Sequence, residues 1–369
     1  MPVQAESSRH ADDAARFYAG IPGSPGSSYT RFEETAAWKD YRRQMDLAWQ
    51  KAEKGMIGGL RQFQRQELGG PVSKSVVFYP FGGPDALTAT LCFPNNPAYV
   101  MVGLEPPGTL PPPEDIAKKD LAKYLSRFRE SLASELHRSF FITGEMDHDF
   151  RGQVTDGLLL PILHLLVRTR HIILGIRFVR LDEQGRIVER EANYQAPGRF
   201  ANKGIEVEFL SDSRSAAQTL YYFAVNLSDE HLRENKPFLA YASRLRDATT
   251  LLKATSYMTH RADFSIIRDL MLANSAAILQ DDSGIPYRWF RQGPWSVRLY
   301  GAYSRPYGSF RGLAQADLQK AYLTTSPKPL SFGIGYGYAR IRSNLLLARR
   351  VPGPDRIGRK DAGPVASRP

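Results

Sequence analysis

Two short stretches of the chain hold residue types that could bind a small molecule. Gly82 and Gly83 follow the apolar run 75–79, and Glu105 follows the apolar run 98–104. Glycines let a backbone come close to a ligand, and an acidic side chain about 20 residues further on is the type that holds ribose hydroxyls in nucleotide sites. Glu105 lies 22 residues after Gly83. This spacing is compatible with a dinucleotide or an S-adenosylmethionine-type ligand.

The residues after the two glycines favour a different interpretation. Pro84 has no N–H group to offer an anion, and the carboxylate of Asp85 would repel a phosphate. The chain also lacks a G-x-G-x-x-G motif. In this second interpretation the glycines form a tight turn and Asp85 caps a helix. Both interpretations stay open, with Gly82, Gly83, Asp85 and Glu105 as candidate ligand-binding residues.

A second group of residues has the chemistry of a general acid and base. His260 lies in a polar loop after the apolar run 249–257, and Asp281 and Asp282 directly follow the run 277–280. Histidine changes charge near neutral pH and, with a carboxylate, can move protons during hydrolysis. His260, Asp281 and Asp282 are therefore the candidate catalytic residues, and Tyr257 is a further candidate for ligand binding. The alternative for the two aspartates is an ordinary turn.

Other kinds of site are excluded or weakly supported. The single cysteine, Cys92, rules out a disulfide framework and metal sites built on several thiolates, and its apolar neighbours predict a buried side chain. His164, between two leucines, is expected in the core. The segment 145–149 holds three acidic residues and a histidine, which could bind a divalent metal ion but equally form a solvated loop. The sequence has no G-x-S-x-G, H-E-x-x-H or P-loop motif.

The elements that would position these residues form an α/β pattern. Two units each read as strand, helix and strand, the first over 75–104 and the second over 249–280. Their strands lack polar alternation, as expected for parallel strands covered on both faces. Residues 171–227 read as antiparallel strands. We therefore predict a mixed, mainly parallel sheet with two βαβ units, an antiparallel extension and an N-terminal helix, in which 76–79 and 100–104 are neighbouring parallel strands.

The composition divides the chain into three regions. Residues 1–29 are rich in Gly, Pro and Ser and are expected to be a mobile arm, with ordered structure beginning at Thr30. Residues 30–350 are expected to be globular, as one domain or two, and start with a helix whose core face repeats at Trp38, Tyr41 and Met45. Residues 351–369 are predicted to be a disordered basic tail.

Basic residues suggest a third kind of partner. Lys and Arg outnumber Asp and Glu by 49 to 38, and the segment 340–369 has eight basic and two acidic residues. The segment 287–311 adds eight aromatic residues and five arginines. Together these could bind a polyanion by stacking and charge. Since much of the positive charge is in the tail, a nucleic acid partner is not favoured. Apolar and polar residues alternate along 295–300, which indicates an ordinary strand with one face in the core.

The chain resembles a group of uncharacterised bacterial proteins, many of which have export signals. The resemblance covers about thirty residues: Tyr79-Pro-Phe-Gly-Gly-Pro-Asp85, then Phe93-Pro94, then Gly103-Leu-Glu-Pro106. It implies a periplasmic or secreted protein from which a signal has been removed, with a cytoplasmic protein as the alternative, and it implies no activity. No apolar run is long enough to span a bilayer.

These observations lead to one expectation and two alternatives. We expect a protein that binds a small or glycan-like ligand where the parallel strands end, because polar loops converge there and no complete catalytic motif is present. The first alternative is an enzyme, either a transferase with a nucleotide-like cofactor or a hydrolase using His260 with Asp281 or Asp282. The second is a polyanion-binding protein. The identity of any cofactor stays open.

Overall fold

The computed structural model describes residues 2–69, 75–138, 156–191, 202–211, 216–337 and 343–351, without the side chains of 2–8 and 133–138. Its N-terminal region corrects the prediction of a mobile arm over 1–29, because this region begins with helix α1 (Pro2–Tyr18). Phe17, Tyr18 and Tyr29 are fully buried. Burial of these aromatic side chains outweighs the disorder that the Gly- and Pro-rich composition around residues 20–26 favours.

A helical layer follows α1 and packs against it. The predicted core face is confirmed, since Trp38, Tyr41 and Met45 are buried in one cluster with Phe17 and Tyr18. The long helix of this face begins after Thr35, whose hydroxyl accepts the N–H of Trp38 at 3.2 Å. The layer consists of α2 (Thr30–Glu33), α3 (Ala36–Ala52), a π-helical turn (Glu53–Ile57), α4 (Gly58–Glu67), α6 (Pro113–Ala117) and α7 (Leu121–Arg138).

Ten strands of the described chain form one sheet in the order β4-β3-β5-β6-β2-β1-β7-β8-β10-β9. Their bounds are β1 (Val77–Tyr79), β2 (Ala98–Gly103), β3 (His171–Leu181), β4 (Ile187–Glu189), β5 (Lys203–Ser211), β6 (Gln218–Ala224), β7 (Ala248–Leu252), β8 (Ser275–Gln280), β9 (Trp295–Gly301) and β10 (Asn344–Arg350). The predicted fold class, a mixed α/β sheet with an N-terminal helix, is confirmed.

Both predicted βαβ units are present. β1 pairs with β2 in parallel, with Phe78 opposite Val100, and β7 pairs with β8 in parallel. The connecting helices are α5 (Ala86–Cys92) and α11 (Ser265–Asn274). The predicted antiparallel extension is also confirmed, because β3, β4, β5 and β6 pair antiparallel in the order β4-β3-β5-β6.

Alternating side chains of the central strands separate the core into two layers. Val77 and Tyr79 of β1 belong to the cluster on one face, and Phe78 belongs to the cluster on the other. Helices α4, α5 and α8 (Leu159–Arg168) cover the first face. The second face is covered by α9 (Asp229–Glu234), α10 (Lys236–Ala242), α11, α12 (Tyr287–Gln292) and α13 (Ala316–Thr324). Burial on both faces explains why these strands are apolar throughout.

The two βαβ units extend in opposite directions from the centre of the sheet. β1 and β7 are parallel neighbours, with β2 on the far side of β1 and β8 on the far side of β7. Right-handed crossovers that run in opposite directions place their helices on opposite faces, and α5 and α11 do lie on opposite faces. The direction of the strand order therefore reverses between β1 and β7.

Some predictions concern residues outside the described ranges. These are the basic tail, of which only Val351 is described, and the acidic and histidine-containing segment 145–149. Within the described ranges, none of the helices combines the length and the apolar character needed to cross a membrane.

Candidate functional site

The point where the strand order reverses is where open α/β sheets bind ligands, because the loops on either side separate and leave a crevice at the carboxyl ends of the strands. Here the crevice lies between the loop after β1, residues 80–85, and the loop after β7, residues 253–257. The five parallel strands lie side by side in the order β6-β2-β1-β7-β8. If they are numbered one to five along the chain, this spatial order is 3-2-1-4-5. Doubly wound nucleotide-binding sheets use the same order through their fifth strand.

The loop after β1 is the predicted glycine turn. Gly83 has φ +52°, and Gly82 lies against Tyr79, so that a Cβ at Gly82 would be 2.7 Å from the ring. The N–H groups of Gly82, Gly83 and Asp85 all donate to backbone carbonyls of the protein. Since Pro84 has no N–H group, this turn has little to offer a phosphate.

Asp85 supports the turn and caps the next helix, as the second of the two interpretations predicts. Its side chain is 2% exposed, caps α5 by accepting the N–H of Thr88, and accepts the hydroxyl of Tyr79 at 2.7 Å. Lys253, also 2% exposed on its side chain, places its Nζ 2.6 Å from Asp85 Oδ2. Because Lys253 is the first residue after β7, this buried ion pair joins the two loops that border the crevice.

Glu105 lies beside the glycine turn, as the spacing predicts. The N–H of Leu104 donates to Glu105 Oε2 at 3.1 Å, and the hydroxyl of Tyr222 on β6 donates to the Glu105 carbonyl at 2.7 Å. A Cβ at Gly103 would lie 2.9 Å from Glu105 Oε2 and 3.2 Å from the Cα of Gly83. The carboxylate, the end of β2 and the turn after β1 therefore meet at one place, where Glu105 is half-buried.

A cavity of about 350 Å³ lies next to this segment, and Glu105 itself is not among the residues that line it. It lies at the carboxyl ends of β2 and β6, and Leu104 and Pro106, the two neighbours of Glu105, both line it. Further walls come from Val225, Asn226 and His231 after β6. Its size is at the lower end of the range for small-molecule sites.

The loop after β7 has an unusual backbone. Ala254, Ser256 and Tyr257 have φ of +50°, +53° and +53°, a region that side chains other than glycine rarely adopt and that costs about 1–3 kcal/mol per residue. Asp281 accepts the N–H of Ala254 at 2.9 Å, and Ser283 accepts the N–H of Thr255 at 2.9 Å. Such strain is typical of functional loops held by their surroundings.

The structure places Asp281 and Asp282, the candidate catalytic residues, in contacts that hold this loop. They are 2% and 7% exposed. Asp281 accepts hydrogen bonds from Ala254 and Ser283, and Asp282 accepts the hydroxyl of Tyr257 at 2.6 Å and the amide of Asn344 at 2.9 Å. Burial raises the pKa of both carboxyls, and the charge of Asp282 raises the pKa of Asp281 further. Tyr257, a candidate for ligand binding, is 2% exposed and is likewise engaged.

His260 is not paired with either carboxylate. Its ring lies 5.0 Å from that of Tyr257 in a perpendicular arrangement, and its Nε2 is buried without a hydrogen-bond partner. Burial lowers the pKa of His260 to about 4, opposed by nearby backbone carbonyls of Gly284 and Asp282. The hydrogen bonds of Asp281 and Asp282 go to other groups, so the structure does not assemble the Asp/His pair that a hydrolase would need.

Three residues of this region escaped sequence analysis. Lys253 carries a signal that was available, because it interrupts the apolar run 249–257 with a charge. Asn226 and His231 carry none, because they follow β6, which is more than a hundred residues from the glycine turn in sequence. Only the pairing of β6 with β2 brings them to Glu105.

The other predicted residues have structural roles. Cys92 is buried, and burial raises its pKa. His164 is fully buried, with its Nδ1 3.1 Å from the carbonyl of Tyr18. In the segment 287–311, Phe290 and Tyr300 are buried, and Arg298 is paired with Glu67 at 3.2 Å. The described residues contain no group of three or more acidic, histidine or cysteine side chains placed to hold a metal ion.

Comparisons with protein-family models, with curated proteins and with solved structures give no match to this chain.

Proposed function

We propose that this protein binds a small organic molecule at the carboxyl edge of its sheet, next to Glu105. The observation that carries the proposal is the presence of three features along one edge of the sheet: the reversal of strand order between β1 and β7, the glycine turn with Glu105 beside it, and the cavity that the two neighbours of Glu105 line. Ligand sites combine a concave, mostly apolar surface with a few polar groups, and this edge offers both.

The strained loop after β7 supports the same location. Four non-glycine residues with positive φ, Phe81, Ala254, Ser256 and Tyr257, lie in the two loops that border the crevice. Strain that is maintained by a buried ion pair and by Asp281 and Asp282 keeps these loops in a defined shape before a ligand arrives, and preorganisation of this kind lowers the cost of binding.

A transferase with a nucleotide-like cofactor is the second candidate function. The position of Glu105 beside a glycine turn favours it over the hydrolase, because Asp281 and Asp282 are engaged in structural contacts and His260 is paired with neither of them. The polyanion alternative has less support, since several aromatic residues of 287–311 are packed in the core. Export from the cytoplasm, which the resemblance implies, stays a prediction.

A thermal-shift screen against common metabolites tests the proposal. A ligand that binds only the folded protein stabilises it by about 2.7 kcal/mol at roughly 100 times its Kd. Replacing Glu105 with Gln removes a charge-assisted hydrogen bond worth about 1.5–3 kcal/mol, hence at least about tenfold in affinity. The E105Q variant should therefore lose about half of the stabilisation or more at the same ligand concentration.

The matched control is Glu34→Gln, since Glu34 is exposed in the helical layer away from the crevice. It should respond to the ligand as the wild type does. A ligand that shifts the wild type and E105Q equally would place binding elsewhere and refute the proposal.

A further inference from the structure

We infer that the C-terminal part of the fold carries a basic surface that binds single-stranded nucleic acid. This inference goes beyond the proposed function, because it concerns neither the crevice nor the cavity. The basic surface consists of five exposed cations and one exposed aromatic side chain: Arg288, Arg291, Arg305, Arg311, Lys320 and Tyr307.

The positive charge of the chain is concentrated in this part of the sequence. Residues 1–282 contain 34 basic and 35 acidic residues, so together they are close to neutral. Residues 283–351 contain 11 basic residues and a single acidic residue, Asp317. The low net charge outside the tail, which counts against a nucleic acid partner, is therefore the average of a neutral part and a strongly positive part. Basic residues clustered in this way are the electrostatic signature of nucleic acid binding.

Contacts within the fold use only some of these cations. Arg298 and Lys328 form ion pairs with Glu67 at 3.2 and 2.6 Å, and Arg349 and Arg350 donate to backbone carbonyls. The five cations of the basic surface are different, because none of them forms an ion pair with an acidic side chain of the described chain. Their charges are therefore available to an anionic partner.

Hydrogen bonds bring the segments of the basic surface together. The N–H of Tyr287, at the start of α12, donates to Gln315 Oε1 at 2.7 Å, and the N–H of Gln315 donates to the Tyr303 hydroxyl at 2.8 Å. Arg305 Nε donates to Gln319 Oε1 on α13 at 3.3 Å. Helix α12, the loop after β9 and α13 therefore lie side by side, and Arg305 keeps its two terminal nitrogens for a phosphate.

The side chains of the basic surface match the two chemical parts of a single strand. Four of the five cations are arginines, and a guanidinium group can bind a phosphate through two parallel hydrogen bonds. Tyr307 lies between Arg305 and Arg311 in sequence and is 63% exposed, unlike the aromatic residues of the same stretch that are packed in the core. Its ring is open to stack on an unpaired base.

This combination favours a single strand over other polyanions. In a duplex the bases are stacked on one another, so a ring on a surface loop cannot reach their faces. An anionic membrane would attract the same arginines, but its headgroups offer no flat face on which Tyr307 could stack.

The test is fluorescence anisotropy of the full chain with a labelled thymidine oligonucleotide of about 20 nucleotides, alone and annealed to its complement. We expect the single strand to bind more tightly than the duplex. Each phosphate contact contributes about −0.7 to the slope of log K against log salt concentration, so five cations give a slope of at least about −3.5. Affinity should therefore fall roughly 100-fold or more between about 50 and 200 mM salt.

Two variants separate charge from stacking. Arg305→Gln combined with Arg311→Gln should make this slope shallower by about 1.4, because two phosphate contacts are lost. Tyr307→Ala should leave the slope unchanged and weaken binding at least about fivefold, because one stacked base is lost. The matched control is Lys39→Gln combined with Arg246→Gln, which removes the same charge from exposed positions in α3 and before β7. This control should bind nearly as the wild type does.

Several results would overturn the inference. Negligible binding of the oligonucleotide at low salt would do so, as would equal losses in the double arginine variant and in the control. Equal affinity for single strand and duplex, or no effect of Tyr307→Ala, would remove the stacking role and with it the choice of partner. Binding to phosphatidylserine vesicles without binding to the oligonucleotide would assign the surface to a membrane. These variants leave Glu105 and the cavity intact, so the metabolite screen tests the proposed function separately.

Discussion

The buried ion pair between Asp85 and Lys253 should be the strongest single link between the two loops that border the crevice. The pair is 2.6 Å apart, and each side chain is 2% exposed. The Tyr79 hydroxyl donates a further hydrogen bond to Asp85 Oδ2 at 2.7 Å. Lys253 Nζ donates another to the Thr88 hydroxyl at 2.9 Å. We therefore predict that replacing Asp85 with Asn, or Lys253 with Met, destabilises the protein strongly.

The size of the effect follows from burial. Removing one partner of a buried ion pair costs about 3–5 kcal/mol, because the other charge is left without compensation, whereas replacing both partners is often close to neutral. The D85N variant keeps a side-chain oxygen for the N–H of Thr88, so loss of the helix cap adds little. The double variant D85N/K253M should therefore lose at least about 2 kcal/mol less than the sum of the single losses.

Urea unfolding followed by circular dichroism measures these free energies, and a thermal melt should show midpoints lower by about 4–6 °C for each single variant. Lys118→Met is the control, because Lys118 and Asp115 form an ion pair with side chains 73% and 51% exposed, and its melting temperature should not change. Single variants that each cost less than about 1 kcal/mol, or a double variant equal to their sum, would refute the reasoning.

Three further predictions concern other parts of the molecule. Gly103→Ala should lower both stability and ligand affinity, because its Cβ would meet the buried Tyr222 hydroxyl at 2.8 Å and the Glu105 carboxylate at 2.9 Å; calorimetry with an unchanged Kd would contradict the effect on binding. Burial lowers the pKa of His164 to about 3, so the unfolded chain binds a proton that the folded chain does not, and stability should fall by up to about 1.4 kcal/mol per pH unit as pH drops below about 6.5. His164→Gln should make this dependence shallower in urea titrations at pH 7 and pH 4.5, and an unchanged slope would contradict the assignment. Cys92 is buried with a raised pKa, so a thiol reagent should modify it only after unfolding, and rapid labelling of the native protein would show that it is accessible.

The sheet could be predicted from sequence because each of its signals is local. The runs 75–79 and 98–104 are apolar on both faces, the polar turn at 182–185 separates β3 from β4, and the helical segments between strands are short. A strand that is buried on one face alternates apolar and polar residues, and a strand that is buried on both faces is apolar throughout, so both kinds can be recognised in the sequence. Helix α1 was missed for the opposite reason, since its order depends on Phe17 and Tyr18 finding partners in distant helices.

The site could be predicted only in part. The meeting of Gly83 and Glu105 followed from the βαβ unit, because a strand, a crossover and a parallel neighbour determine where both loops end. The buried partners of Asp85 and Asp282 did not follow, since whether a carboxylate faces solvent or a buried partner depends on residues such as Lys253 and Asn344. Those partners are 168 and 62 residues away in sequence.

The most direct test of the proposed site is hydrogen exchange by mass spectrometry, measured with and without a ligand found in the thermal-shift screen. We predict slower exchange in the segments 79–85, 103–107 and 253–257 when the ligand is bound, because these loops border the crevice. Exchange in the distant turn 182–185 should not change. Protection confined to other parts of the chain, with these three segments unchanged, would contradict the account.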